Sequence, residues 1–351
     1  MSGRIHELRL RFQQANLDAI LVSQAENRRY LSGFTGSAGF LLITQASALL
    51  ATDFRYIEQA QQQAPDFDIF PISGGVANWF PELISRDDIK RLGVEAHDMS
   101  QATYQHLTGI VGKGQVVPTT DIVESLRAVK DPGELERIRR AVEIADAAFA
   151  SIVDRIKPGM TERQVAWDLE KALREGGSES LPFDIIVASG PNSALPHHRP
   201  GDRVVQAGEP VIIDMGARVE GYCSDLSRTI RVGGREDEKF GKIYDLVLGA
   251  QLTAMATIAG GMSGEQADGL ARGVIELGGY GEQFGHGLGH GVGLAPHELP
   301  RLGKGSADVL VDGMVFTIEP GIYMTGWGGV RIEDTVVLEQ GRVKALSRAR
   351  K

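Results

Sequence analysis

The 351-residue chain contains one cysteine, Cys223, so no disulfide can form within it and a reducing compartment suits it. No apolar run is long enough to cross a membrane. The longest, Phe40 to Ala51, is interrupted by Thr44, Gln45 and Ser47. The opening residues Met1 to Glu7 begin an amphipathic pattern and lack the apolar centre of a secretory signal. A basic surplus is missing too: 37 Lys and Arg face 46 Asp and Glu, for a net charge of −9, which argues against a nucleic-acid partner. These absences lead us to expect a cytoplasmic protein with neither nucleic-acid nor membrane partners. The remaining composition, 42% hydrophobic and 24% charged, is that of an ordinary globular chain with room for two domains.

Histidine is also scarce, with eight in the chain, yet His286, His290 and His297 fall within thirteen residues. They sit in Gly285-His286-Gly287-Leu288-Gly289-His290-Gly291-Val292-Gly293 and its continuation to Glu298. The glycines allow this backbone to approach a ligand or a neighbouring strand closely. If the segment is extended, His286 and His290 point to one face, because strand side chains alternate.

Ile5, Leu8 and Phe12 are spaced for a first helix over residues 4–15. Apolar runs at Ala19–Val22, Phe40–Ile43, Ala48–Ala51 and Arg91–Ala96 read as strands separated by glycine-rich turns. Asp53-Phe54-Arg55-Tyr56 leads from a strand into a helix, and Arg28, Arg29, Asp53 and Arg55 read as surface or turn residues. No catalytic grouping precedes residue 120. A boundary falls near Pro118-Thr119-Thr120-Asp121. Beyond it, Asp131-Pro132-Gly133-Glu134 forms a capping box for a helix running to about Lys157, and Thr161 with Gln164 forms a second.

The pattern then recurs. Gly159 to Gln164 is matched by Gly261 to Gln266, Gly176-Gly177 by Gly278-Gly279, and Glu134 to Arg137 by Glu236 to Lys239, each at an offset of 102. A fixed offset over matched punctuation indicates an internal duplication of about a hundred residues.

The duplication extends into acidic strands. Val211-Ile212-Ile213-Asp214 and Val315-Phe316-Thr317-Ile318-Glu319 are apolar runs ending in a carboxylate. Each is followed by a polar turn and a returning strand with another, Asp225 and Glu333. Each pair should lie across an antiparallel hairpin, with Cβ atoms about 4.5–5.5 Å apart if directly opposed. Singly, Asp225 could pair with Arg228 and Glu333 with Arg331. Together, four buried carboxylates repel and need cations between them. With His290 the set suits two divalent metals roughly 3.5–4 Å apart, and oxygen donors with one imidazole favour manganese, cobalt, iron or zinc. Cys223 reads as a small buried residue, with no histidine near it in sequence.

These residues resemble the creatinase, prolidase and methionine aminopeptidase family of pita-bread metallopeptidases, specifically its prolidase and aminopeptidase P branch. Tyr30-Leu31-Ser32-Gly33-Phe34-Thr35-Gly36-Ser37 and Thr52-Asp53-Phe54-Arg55-Tyr56 carry the likeness in the N-terminal part. The resemblance implies an α/β (α+β) fold, with a creatinase-like N-terminal domain over residues 1–122 and a pseudo-two-fold pita-bread catalytic domain over 123–351. It implies Asp214, Asp225, His290, Glu319 and Glu333 as ligands of two divalent ions, manganese before cobalt, zinc or iron, with Asp225 and Glu333 bridging. It further implies that His197, His286 and His297 line the active site, that Arg301 meets a substrate carboxylate, and that Glu319 shuttles a proton. His198 is taken as a mere neighbour of His197. The implied activity is hydrolysis of Xaa-Pro bonds in small peptides by a metal-bridging hydroxide, in a homodimer. A creatinase-like hydrolase or a binding protein on the same fold is the rival.

Overall fold

A computed structural model describes residues 2–86, 88–111, 115–235 and 237–351, which form two compact units, Met1–Arg127 and Ala128–Lys351. Glu236, used above to match the helix starts, lies outside the described residues.

The first unit begins with helix α1 (Ser2–Gln14) and strand β1 (Ala19–Val22). Helix α2 (Ala25–Ser32), β2 (Phe40–Thr44), β3 (Ala48–Asp53), α3 (Ile57–Gln63), β4 (Asp68–Ile72) and α4 (Val76–Ile84) follow. The unit closes with β5 (Leu92–Glu95), α5 (Gln101–Val111), β6 (Val116–Thr119) and α6 (Glu124–Arg127). The strands make one mixed sheet in the order β4-β3-β2-β1-β5-β6. β1 to β3 pair antiparallel as a meander; the outer pairs are parallel, as crossover helices require. Asp53 and Arg55 form a surface ion pair at 2.8 Å. Arg28 differs from the expectation of a surface residue: it is 5% exposed, and its guanidinium donates to the carbonyls of Ser23 and Gly36. Two of its nitrogens serve turn carbonyls on either side of α2, a burial that composition alone does not reveal.

The second unit starts with α7 (Pro132–Val153), whose capping box joins Asp131 and Glu134. Ile138, Ala141, Val142, Ala145, Ala148, Phe149 and Ile152 form its buried stripe at helical spacing. Each large side chain in that stripe stabilises by roughly 1.5–3 kcal/mol through burial. The helix ends at Val153, before Lys157, because Arg155 N bonds back to Ile152 O in a tight turn. Next come α8 (Glu162–Glu175), β7 (Ile186–Ser189), β8 (Pro210–Met215), β9 (Arg218–Val219), β10 (Tyr222–Cys223) and β11 (Leu226–Arg231). The second half repeats the plan with α9 (Glu238–Thr257), α10 (Gly264–Leu277), β12 (Gly289–Gly291), β13 (Glu298–Leu302) and β14 (Val315–Ile318). It finishes with β15 (Gly321–Met324), β16 (Gly328–Arg331), β17 (Asp334–Glu339) and β18 (Arg342–Ala345).

The duplication is visible in the backbone. Gly159 N bonds to Val205 O and Gly261 N to Leu310 O; Glu162 N bonds to Arg203 O and Gly264 N to Asp308 O. Capping boxes start α8 at Thr161 and α10 at Ser263. The third sequence match does not persist. α7 is capped by Asp131 and α9 by Asp237, 106 positions apart and not 102. Charged helix starts are stereotyped, so the charge pattern recurs at 102 while the caps recur at 106.

Each half has its own core. α7 and α8 cover the sheet β11-β8-β7, and α9 and α10 cover the sheet β13-β12-β14-β17-β18. The halves meet where β11 runs beside β16 and the start of β17. Glu333 N bonds to Ser227 O at 3.0 Å, and Asp225 and Thr335 exchange two hydrogen bonds.

Candidate metal centre

At this seam the acidic strand ends converge. Asp214 lies in β8, Asp225 just before β11, Glu319 just after β14 and Glu333 just before β17. The register sets their relation. Asp214 faces Ser227, so Asp225 lies diagonally from it and not directly opposite as the hairpin midpoint suggested. The short ladder of β9 with β10 continues the same register, so the hairpin turns between Glu220 and Gly221, beyond the midpoint of Asp214 and Asp225. In the other half, Ile318 faces Asp334, and continuing that register sets Glu319 opposite Glu333.

His290 comes from β12, which is inserted between β13 and β14. Its flanking glycines are what permit this. A Cβ on Gly289 would lie 2.0 Å from Thr317 O, and one on Gly291 2.0 Å from Leu299 O. The extended segment is only Gly289–Gly291, so His286 precedes the strand and reaches the site from a loop. That loop is pinned by the buried Asp268–Arg272 pair on α10: Arg272 donates to Phe284 O and His286 O, and Asp268 accepts from Leu288 N.

His290 Nε2 lies 3.2 Å from Glu319 Oε1 and 3.8 Å from Asp225 Oδ2. Three overlapping sets have donor atoms mutually within 4.8 Å: Asp214 with Asp225 and Glu333; His290 with Glu319 and Glu333; and Asp225 with His290 and His297. The His290 and His297 rings are 4.0 Å apart between centroids. Arg331 threads the cluster, donating to Asp214 Oδ2 at 2.6 Å, to Tyr323 Oη at 3.0 Å and to Ser227 Oγ at 2.8 Å. Tyr323 also hydrogen-bonds His286 Nε2 at 2.9 Å. The single-pair alternatives for the acids are not formed: Arg228 pairs with Asp334, and Arg331 with Asp214.

The electrostatics are those of crowded anions. Burial and then the neighbouring Glu333 and Asp214 charges push the Asp225 carboxyl well up. Burial, Glu319 and Asp214 do the same to Glu333. Burial opposes ionisation of Glu319, but the His290 hydrogen bond and the charges of His290, His286 and Arg331 hold it at about 2. Burial alone would lower His290; its bond to Glu319 outweighs this and raises it. Burial lowers both His286 and His297. Asp214 Oδ1 is buried with no hydrogen-bond partner. Four convergent carboxylates, an orphaned oxygen and one imidazole fit hard divalent cations.

A cavity of about 430 Å³ opens on this cluster. Of the sequence-derived residues, Asp214, Asp225, Glu319, Glu333, His197, His286, His290 and His297 line it. Arg301 does not: it is an exposed residue of β13, across the strand pair from His290. Phe183, Asp184, Ile186, His198 and Arg199 also line the cavity. None carried a sequence signal, except that His198 adjoins His197. Arg331 could have been singled out, because two residues before Glu333 in an extended chain places it on the same face.

Metallopeptidase family M24 matches residues 136–340, and the creatinase/prolidase N-terminal domain matches residues 4–129. An Xaa-Pro dipeptidase of Pyrococcus horikoshii is 37% identical over 339 residues, covering 95% of this chain and 93% of that protein. The structure of an Xaa-Pro dipeptidase from Bacillus anthracis superposes with a TM-score of 0.96 at 41% identity, covering 100% of this chain and 98% of the other. That of an X-Pro aminopeptidase from Thermotoga maritima gives 0.88 at 37% identity, covering 98% and 97%. The chain therefore belongs to metallopeptidase family M24, with a creatinase/prolidase-type N-terminal domain before its pita-bread catalytic domain.

Proposed function

We propose that this chain is a divalent-metal-dependent exopeptidase that hydrolyses the Xaa-Pro bond of small peptides. The observation that carries the proposal is the convergence of four carboxylates and His290 beside four further histidines on one cavity. The Xaa-Pro specificity borne by relatives at 37% and 41% identity supports the substrate class.

Asp214, Asp225, His290, Glu319 and Glu333 would hold the cations. Divalent ions held there supply Lewis acidity, polarising the scissile carbonyl and lowering the pKa of the attacking water. Glu319 acts as the proton carrier. Its Oε1 accepts from Thr317 Oγ1 at 3.0 Å, which fixes the carboxylate, and as an anion it can take the water proton. It then delivers that proton to the departing proline nitrogen. His297, kept neutral near pH 7, donates a hydrogen bond to the developing oxyanion. His197 and His286 flank the proline ring. His286 is oriented by Tyr323 and by Gly287 O at 2.8 Å. A proline amide has no N–H to recognise, so shape must serve, and Phe183, Ile186 and Pro196 supply apolar wall. Arg301, paired with His290 across β12 and β13 but outside the cavity, would meet a substrate carboxylate only from beyond the cavity wall.

The same reading takes manganese as the working ion, a homodimer in the cytoplasm as the working form, and residue 122 as the end of the creatinase-like domain. The test is hydrolysis of Xaa-Pro and Xaa-Pro-Yaa peptides of increasing length by metal-stripped protein given manganese. Cleavage confined to dipeptides identifies a dipeptidase; cleavage of longer peptides identifies an aminopeptidase. Inertness toward both with every divalent metal overturns the proposal.

A further inference from the structure

We propose that Glu162 is a positioning residue for the substrate pocket. It holds the 189–201 segment, which carries His197 into the cavity, through a latch closed by His198. The kinetic consequence rests on the peptidase function proposed above; the geometry does not.

Glu162 is the first residue of α8, and its side chain is fully buried, 0% exposed. Its Oε1 accepts from Ser189 N at 2.8 Å, Ser189 Oγ at 2.8 Å and Asn192 Nδ2 at 2.9 Å. Its Oε2 accepts from His198 Nε2 at 2.8 Å and Gly201 N at 3.2 Å. One carboxylate thus gathers five donors from four residues of a single segment. An ionised carboxylate only accepts, so His198 carries its proton on Nε2.

The ends of the segment have further ties, since Ser189 pairs with Val211 across β7 and β8, Arg203 donates to Ser189 Oγ at 2.7 Å and Arg163 N donates to Gly201 O at 3.1 Å, so Glu162 matters most for the stretch between them. Leu195 is 55% exposed and His197 is exposed, so apolar burial does not fix the stretch. On the opposite side, Gly329 N donates to Ser193 Oγ at 2.8 Å, and Arg331 reaches Pro196 O at 3.4 Å. Glu162 supplies the other jaw.

The internal repeat shows that the helix itself does not need this acid. α10 starts on a capping box of the same kind, Ser263 for Thr161, and equivalent backbone bonds, yet the position matching Glu162 is Gly264. There an added Cβ would sit 1.9 Å from Arg301 O. The two halves build the same helix start, and only the half bearing the His197 segment places a carboxylate at it.

Three variants test this: E162Q, H198A and H198Q. Gln at 162 keeps the shape but turns one acceptor into a donor facing donors. H198Q keeps an N–H able to reach Glu162, and H198A does not. We expect E162Q and H198A to show faster hydrogen–deuterium exchange confined to residues 189–201, with metal content unchanged. We expect kcat/KM on an Xaa-Pro dipeptide to fall about tenfold to a hundredfold, mostly through KM, because the pocket wall contacts ground state and transition state alike. H198Q should recover most of the loss. Wild-type exchange in E162Q, exchange and metal loss spread over the whole catalytic unit, or H198Q no better than H198A would each overturn the latch. If wild-type protein cleaves no Xaa-Pro peptide, the substrate assignment falls, and the exchange pattern alone still decides the latch.

Discussion

Glu319 sits between a hydroxyl donor at 3.0 Å and an imidazole at 3.2 Å, which is the setting of a carboxylate that must stay ionised and aimed. E319Q keeps the size and removes the charge. Its kcat should fall by about 10²–10⁴, the usual worth of a positioned acid–base group, with partial loss of bound metal. Steady-state kinetics with metal analysis check this; full activity at full occupancy removes Glu319 from the role. Arg228 is a contrasting residue, buried for the fold and not for chemistry. It is 1% exposed, pairs with Asp334 at 2.8 Å and donates to the carbonyls of Glu333, Ala349 and Arg350. R228M should cost about 1–3 kcal/mol in denaturant unfolding of the catalytic unit, because several buried carbonyls lose their donor while Asp334 keeps Lys351 at 2.6 Å. Glu162 gives a pH signature. Burial would raise its pKa, but hydrogen bonds from Ser189, His198 and Asn192 prevail and lower it below the ordinary 4.5. A carboxyl depressed in the folded state stabilises above its unfolded value and loses that contribution as pH falls through its folded one. The stability gap between wild type and E162Q should therefore be widest near neutrality and narrow in acid. A gap that widens in acid contradicts the sign.

Among elements, the capping boxes of α7, α8 and α10 were legible because each is local chemistry: a side-chain oxygen and a Glu or Gln three residues later satisfy orphan N–H groups. T161A and S263A remove equivalent caps, so each should cost about 1 kcal/mol by chemical denaturation. A difference of several kilocalories between them would mean that the halves are not energetically equivalent. The acidic strand ends were legible for a related reason, since a carboxylate closing an apolar run is anomalous on its own. Their pairing was less so. The hairpin turns between Glu220 and Gly221, so Ser227 and not Asp225 faces Asp214, and the place of the turn is not encoded in the midpoint of two acids. The apparent match of α9 with α7 failed because any surface helix starts with charge. His198 and Arg331 went unassigned because their partners, Glu162 and Asp214, are 36 and 117 residues away.

At the scale of the molecule, the seam between the two halves stores anionic repulsion that cations relieve. Chelation should abolish activity and lower the melting temperature of the catalytic unit, and added divalent ion should restore both. At a hundred times its Kd, the ion should contribute about 2.7 kcal/mol, read by calorimetry. An unchanged transition would mean that the cluster binds no metal in the folded protein.

The sequence by itself determined the kind of chain this is: two regions, the second duplicated, with carboxylates at matched strand ends and histidines in a glycine-rich run. Those features are periodic or local, so they survive without coordinates. Tertiary structure alone decided what meets across the seam. Arg331 reaches back to Asp214, Glu162 gathers a segment 27 to 39 residues downstream, and Arg301 stays outside the cavity its neighbours line. Such contacts depend on where packed elements bring distant side chains, and no spacing along the chain specifies that.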